Sequence, residues 1–423
     1  MNTNKLATIS IKTLSKLIAS GILYILMLFI LGSCENPSCD TEMVTYYEPV
    51  FAARSEIIKD AEFGVPRPIE NAGKIYYKDG YLFINEVDKG IHVINNLDKS
   101  NPREIGFIEL PGNKDLAAKG EFLYADNYTD LVVLDISDKM NIFEVNRIEN
   151  VFDGYYYYTE EEGMLISYTE VQEEVEVDCS EDNWMHQRDD LMYTTAESSN
   201  LASSGAGIGG SLARFTITDN FLYTVNEYRL KLFDITITDS PIEGNSVDLG
   251  WGIETIFPYG DKLFFGARSG MHIYDNSNPA EPTFISTYEH INTCDPVVVQ
   301  NDLAYVTLRS GTECETFTNQ LDVIDISDVS HPELLITHEM DNPHGLGVKG
   351  NCLFIAEGDF GLKVFDASDP LKIGDQMTAH HQGIHALDVI PLDDVLFMIG
   401  NDGLHQYEYD CNNLFTYIST ISY

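Results

Sequence analysis

A short phrase recurs along this chain of 423 residues. An apolar run closing on an acid appears as Leu131-Val132-Val133-Leu134-Asp135, Leu230-Lys231-Leu232-Phe233-Asp234 and Met271-His272-Ile273-Tyr274-Asp275. It returns as Leu321-Asp322-Val323-Ile324-Asp325 and Leu362-Lys363-Val364-Phe365-Asp366, with weaker copies ending at Asn95, Asp178 and Glu408. Successive closing positions lie 40, 43, 56, 41, 50, 41 and 42 residues apart. A unit of about 40 residues made of short strands buries its apolar faces only against copies of itself, in a radial array. The repeat therefore constrains architecture strongly and chemistry weakly.

One copy shows the design. Asp115 to Lys119 is a strand of small residues, Gly120-Glu121 a turn, Phe122 to Asp126 a second strand and Leu131 to Ile136 a third. Ser137 to Asn141 turns the chain again, and Phe143 to Ile148 is the fourth strand. Aromatic and β-branched runs bounded by Gly, Asn and Asp are strand and turn signals. Small residues suit the crowded inner position around a ring axis. First strands are visible at Lys74, Asp115, Tyr155, Leu212, Ile253, Pro296, Gly345 and Ala386. The expected fold is all-β: a single β-propeller of eight four-stranded blades over residues 73–423. Seven is the alternative count, because Val175-Glu176-Val177-Asp178 is a poor copy with no clear fourth strand. The Asp closing each third strand reads as turn chemistry rather than a catalytic array, its carboxylate accepting from backbone N–H groups that follow.

Leu131 to Asp138, Leu321 to Asp328 and Leu362 to Pro370 resemble the LVIVD repeat, found in β-propeller lipoproteins and secreted proteins, many from Bacteroidetes. The resemblance runs from about Gly73 to Tyr423. It implies a propeller and supplies no catalytic residues.

The N-terminus reads as an address. Lys5, Lys12 and Lys16 precede an apolar core from Ile18 to Leu31, and Leu31-Gly32-Ser33-Cys34 resembles a bacterial lipobox. That pattern makes residues 1–33 a lipoprotein signal peptide and Cys34 the lipidated N-terminus of the mature chain. Glu35, rather than Asp, favours the outer membrane of a Gram-negative bacterium over its inner membrane. The partner this implies is a membrane, reached through the lipid on Cys34. Residues 34–72, with Tyr46-Tyr47-Glu48-Pro49-Val50-Phe51, form a tether too aromatic for pure linker, expected to pack on the ring and help close it. Removing residues 1–33 takes away three lysines and no acid, moving the net charge from −43 to −46. A chain so acidic repels phosphate backbones, which excludes nucleic acid. Cys39, Cys179, Cys294, Cys314, Cys352 and Cys411 contain no Cys-x-x-Cys zinc spacing.

Candidate sites follow from ring geometry, in which connections between blades and loops between second and third strands open on one face. Residues entering the first strands face the channel mouth: Asp115, Arg214, Glu254, Asp295, His344 and His385. Convergent polar groups in a concavity are the default binding site. Two histidines with carboxylates are also the residue types that hold a divalent cation; no other cofactor is indicated. His380 and His381 are expected in a solvated blade connection. Cys294 and Cys314 fall on the same face, a candidate disulfide clamping the long loop from Arg309 to Gln320. An insertion at 179–211 breaks the rhythm; it is acidic at first, holds Trp184 and ends rich in Ser and Gly. Its Gly205-Ala206-Gly207-Ile208-Gly209-Gly210 matches a dinucleotide fingerprint but precedes a strand where that motif requires a helix. Tyr155-Tyr156-Tyr157-Tyr158 reads as an inner strand with alternate rings buried rather than a sugar platform.

The expected function is a binding scaffold of the cell envelope for a protein, glycan or ion. The competing expectation is a hydrolase or lyase at the channel mouth, which needs a His–carboxylate or carboxylate pair at working distance. Asp295, Glu254, His344 and His385 are the candidates for it.

Overall fold

The computed structural model describes residues 41–152, 158–159, 163–176, 208–209, 211, 214–226, 228–289, 296–309, 318–411 and 414–423. Two compact units divide the chain: residues 1–50 with 167–192, and residues 51–166 with 193–423. In the first, extended chain carries the Tyr46 hydroxyl to the Glu173 carboxylate, 3.3 Å away. The second holds the repeats.

The described residues form eight sheets. Seven contain an antiparallel meander of four consecutive strands, and these are the blades: residues 72–109, 116–148, 215–248, 253–289, 297–339, 346–381 and 388–422. The strands of the second blade are Leu116–Lys119, Phe122–Asn127, Asp130–Asp135 and Phe143–Ile148, within a residue of those read from the sequence. The eighth sheet is three-stranded and joins Thr41–Ala52, Gly163–Glu176 and Tyr158–Thr159. Among the described residues seven four-stranded meanders are present, the lower of the two counts the repeat allowed. The second and third blades meet directly: the Tyr124 hydroxyl reaches the Thr238 carbonyl at 2.7 Å, and the amides of Arg214 and Phe215 reach Asp115 at 2.9 and 3.0 Å. Tyr155 to Tyr157 lie outside the described residues.

Blades are covered on both faces, so their second and third strands are apolar throughout rather than alternating. Leu131, Val132, Val133 and Leu134 are all fully buried, as are Leu82, Phe83 and Ile84. The short hairpins between first and second strands place Asp79, Asp219 and Asn301 at φ near +50 to +56°, where Asp, Asn and Gly are tolerated. Third strands end as the turn reading requires. The carboxylates of Asp135, Asp234, Asp275, Asp325 and Asp366 each accept the amide two residues on, at 2.7–2.8 Å. In all seven blades the third and fourth strands slip register once, a bulge that deepens the twist.

Ring closure joins the seventh blade to the first. Their apolar residues share one cluster, with Ile75, Leu82 and Ile84 against Ile390, Phe397 and Leu404. Asn96 and Gln406 exchange side-chain hydrogen bonds of 2.9 and 2.8 Å. Residues 53–71 lie against the first and second blades: Arg54 binds Asp130 with two bonds of 2.7 Å, and Glu62–Gly64 adds a strand outside Arg103–Glu109. A disulfide, Cys352–Cys411, links the sixth blade to the seventh. Sequence alone left that pairing open.

Candidate functional site

The hub of the ring is crossed by the chain's own backbone. Ile208–Gly209 pairs with Tyr76 and Tyr77 on the inner edge of the first blade. Two residues on, the Ser211 hydroxyl donates to Asp388 of the seventh blade at 2.9 Å and accepts the Leu346 amide of the sixth at 3.0 Å. Arg214, entering the third blade, is then held through its amide by Asp115 of the second. Ile208–Gly209 thus pairs at a strand edge and Ser211 bonds across to two blades. The described residues that follow form a strand, Phe215–Thr218, where the dinucleotide motif requires a helix. The earlier part of the insertion, with Trp184 and Cys179, lies outside the described residues.

The hub also holds an ion cluster the sequence reading found only in part. Lys74 and Asp115, both 2% exposed, form a salt bridge. Lys74 sits four residues before the hairpin of its blade, as Asp115 and Arg214 do in theirs; counting back from each turn would have added it. Burial is the main cause that lowers the Lys74 ammonium to about 8, Arg214 pushing the same way against Asp115. Next to the pair, burial raises Asp126 to about 7 although its carboxylate accepts the amides of Lys114 and Asp115 at 2.8 and 2.9 Å.

The described mouth residues therefore take different partners. Asp115 is committed to Lys74 and to the amides of Leu116, Arg214 and Phe215. Glu254 pairs with Arg268 at 3.3 Å. Asp295 lies outside the described residues, as do Cys34, Cys294 and Cys314. Among the described residues no group of three His, Cys, Asp or Glu side chains is placed to hold a metal ion. Asp115 thus caps backbone amides of two blades and balances the buried Lys74.

His344 and His385 do come together, with ring centroids 6.3 Å apart. His344 opens the sixth blade, and Arg309, from the end of a fifth-blade strand, directs its guanidinium at the imidazole nitrogens from 2.8 and 3.0 Å. Burial first, then Arg309 and His385, lower the His344 pKa to about 3, so the ring is neutral. The Asn401 amide lies 3.4 Å from His385 Nε2, and Asp359, almost fully exposed, lies 3.8 Å from it. His385 Nδ1 is buried without a hydrogen-bond partner. The pair is held by backbone: Gly358 and Ala386 exchange bonds of 2.7 and 3.0 Å, tying a sixth-blade loop to the entry of the seventh. A Cβ on Gly358 would stand 2.7 Å from Asn342 Nδ2 and 2.9 Å from His344 Nε2, and φ there is +55°. His380 and His381 belong to the fourth strand Met377–His381 rather than a connection, and His381 stacks on Phe415 at 4.0 Å.

Two exposed aromatics on this face escaped the sequence reading. Phe360 projects from the loop that carries Asp359. Trp251 stands in the connection between third and fourth blades and is 68% exposed. The signal was present in Gly250-Trp251-Gly252 but carries no periodicity.

With the geometry in hand, the relatives can be placed. The LVIVD repeat model matches residues 112–149, 314–338 and 344–373. The chain carries LVIVD repeats. They coincide with the second blade and with parts of the fifth and sixth. No curated protein matches the sequence. Among solved structures the computationally designed Ika8 protein is similar, at 11% identity over 83% of this chain and 87% of that one, TM-score 0.50. BamB from Moraxella catarrhalis shows 8% identity over 86% and 97% of the two chains, TM-score 0.47. Hsv2p from Kluyveromyces lactis shows 10% identity over 82% and 96%, TM-score 0.47. At 11% identity the likeness to Ika8 is one of fold, and what the repeat ring suggests by itself is a binding scaffold.

Proposed function

We propose that this protein is a lipid-anchored scaffold of the bacterial cell envelope, presenting the mouth face of its propeller to an envelope protein or glycan. One observation carries the reading. Ile208–Gly209 is paired to the first blade and Ser211 is bonded to the sixth and seventh, which supports a binding face rather than a passage. On that face His344, His385, Asp359 and Phe360 are held by a bridged, glycine-dependent loop, the rigid support that binding groups require. The lipobox-like Leu31-Gly32-Ser33-Cys34 supports attachment to a membrane, and Glu35 supports the outer one.

The test is capture from detergent-solubilised envelope by full-length protein, compared with a His344→Ala/His385→Ala/Phe360→Ala variant of unchanged thermal stability. A specific bound component lost with the triple variant is the expected result. Capture indifferent to the triple variant would overturn the assignment to this face, and a Cys34→Ala form that stays with membranes would overturn the anchor.

A further inference from the structure

We infer that Trp251 is the stacking platform of a saccharide subsite, taking one pyranose ring of a neutral or amino-sugar oligosaccharide. The inference rests on the reading that the mouth face binds a ligand, and it names the chemical class.

Trp251 is 68% exposed, and exposing a large aromatic ring forfeits the burial that normally holds such residues inside. Its loop is nonetheless fixed. The Leu249 amide donates to the Tyr228 carbonyl at 2.9 Å, the Gly250 amide to the Asp248 carboxylate at 3.1 Å, and the Arg268 amide to the Gly252 carbonyl at 2.9 Å. Glycines flank the ring at φ +86° and +85°, so the left-handed backbone turns the indole outward with no neighbouring side chain to shield it. A Cβ on Gly250 would meet nothing within 4 Å, whereas one on Gly252 would press on the Arg268 side chain at 3.1–3.3 Å. One side of the loop is therefore open and the other is walled by Arg268, itself paired with Glu254.

The surroundings decide the class of ligand. Asp248, Glu254, Arg229 and Arg268 are charged residues of this connection and the strands beside it, with Arg229 lying over the Tyr228 ring at 5.2 Å. A protein hot spot centres its aromatic anchor in a desolvated patch depleted of charge. A single exposed aromatic ring on a connection that also carries carboxylates and guanidinium groups instead matches a pyranose, whose C–H face stacks while its hydroxyls bond to planar polar groups. The net charge of −43 sets the sign of the preference, since it disfavours uronate or sialylated chains and tolerates neutral or cationic sugars.

The experiment is isothermal titration calorimetry, using full-length protein with maltohexaose, xylohexaose, mannohexaose, chitosan hexamer and oligogalacturonate. A saturable heat of binding with a neutral or amino oligosaccharide is expected. Trp251→Ala should weaken it by about tenfold or more, equivalent to about 1.4 kcal/mol; Trp251→Phe should retain part of it. Trp184→Ala, the substitution of the other tryptophan, should leave the affinity unchanged. Failure of every neutral and amino sugar, preference for oligogalacturonate, or affinity indifferent to Trp251→Ala would overturn the inference. Envelope capture by the Trp251→Ala protein separates the two readings: capture retained with no saccharide bound rejects the subsite and keeps the scaffold. A captured protein lost with Trp251→Ala, with no saccharide bound, would instead make Trp251 a protein anchor.

Discussion

Breaking the Cys352–Cys411 disulfide by Cys411→Ser tests how the ring is held between its sixth and seventh blades. The two cysteines are 59 residues apart with Cα atoms 5.2 Å from each other. Closing a loop of that length removes roughly 14 cal/mol/K from the unfolded chain, or about 4 kcal/mol at 25 °C. Backbone ties across the same interface remain in the variant, among them Gly345 N to Leu387 O at 2.8 Å and the Gly358–Ala386 bridge. The folded ring should therefore persist with lower stability. Unfolding entropy of about 2.1 cal/mol/K per residue over a propeller of about 350 residues gives roughly 0.7 kcal/mol/K, so the melting temperature should fall by about 6 °C. Cys411 is the cysteine to replace, because Cys352 is 1% exposed and its substitution would add a packing defect. Calorimetry without reductant measures the shift, and thiol counting on denatured protein measures the bond. A shift under 1 °C, or two free thiols at these positions in the oxidised wild type, would refute the reasoning.

Two further outcomes follow from the hub and the mouth. Asp126 has a folded pKa raised from 3.8 to about 7, mainly by burial, so the folded protein binds the extra proton between those values and stability falls as pH rises from about 4 to 7; Asp126→Asn, which keeps an acceptor for the amides of Lys114 and Asp115, should flatten that slope in urea titrations run at pH 4, 5.5 and 7, and an unchanged slope would contradict the assignment. Gly358→Ala forces a Cβ to 2.7 Å from Asn342 in a left-handed conformation, so it should cost on the order of 1–2 kcal/mol and weaken ligand capture at the mouth, whereas Gly350→Ala, whose Cβ would meet nothing within 4 Å, controls for backbone strain alone.

The strands and turns were legible because each is a local event. Leu131 to Asp135 and its cousins are apolar, β-branched and followed by an acid, and every one became a buried third strand closed by its own Asx turn. Local pattern left two blade counts open. Val175 to Asp178 sits at the right spacing, yet the strand Gly163–Glu176 pairs in the sheet of Thr41–Ala52 instead of building a blade. Spacing reports which segments are able to form a strand; the partner is chosen by edges and surfaces far away in sequence.

The amino-acid order by itself determined a repeating four-stranded unit, the acid-capped turns and a strongly anionic chain, because propensity, period and charge act over a few neighbouring residues. Only the tertiary structure decided that seven four-stranded blades are present among the described residues, that Ser211 bonds to Asp388, and that Lys74 balances Asp115. It likewise brought His344 within 6.3 Å of His385, left Trp251 in solvent and joined Cys352 to Cys411. Those pairings depend on how far each twisted blade rotates against the next, a quantity summed over the whole circuit and written in no single segment.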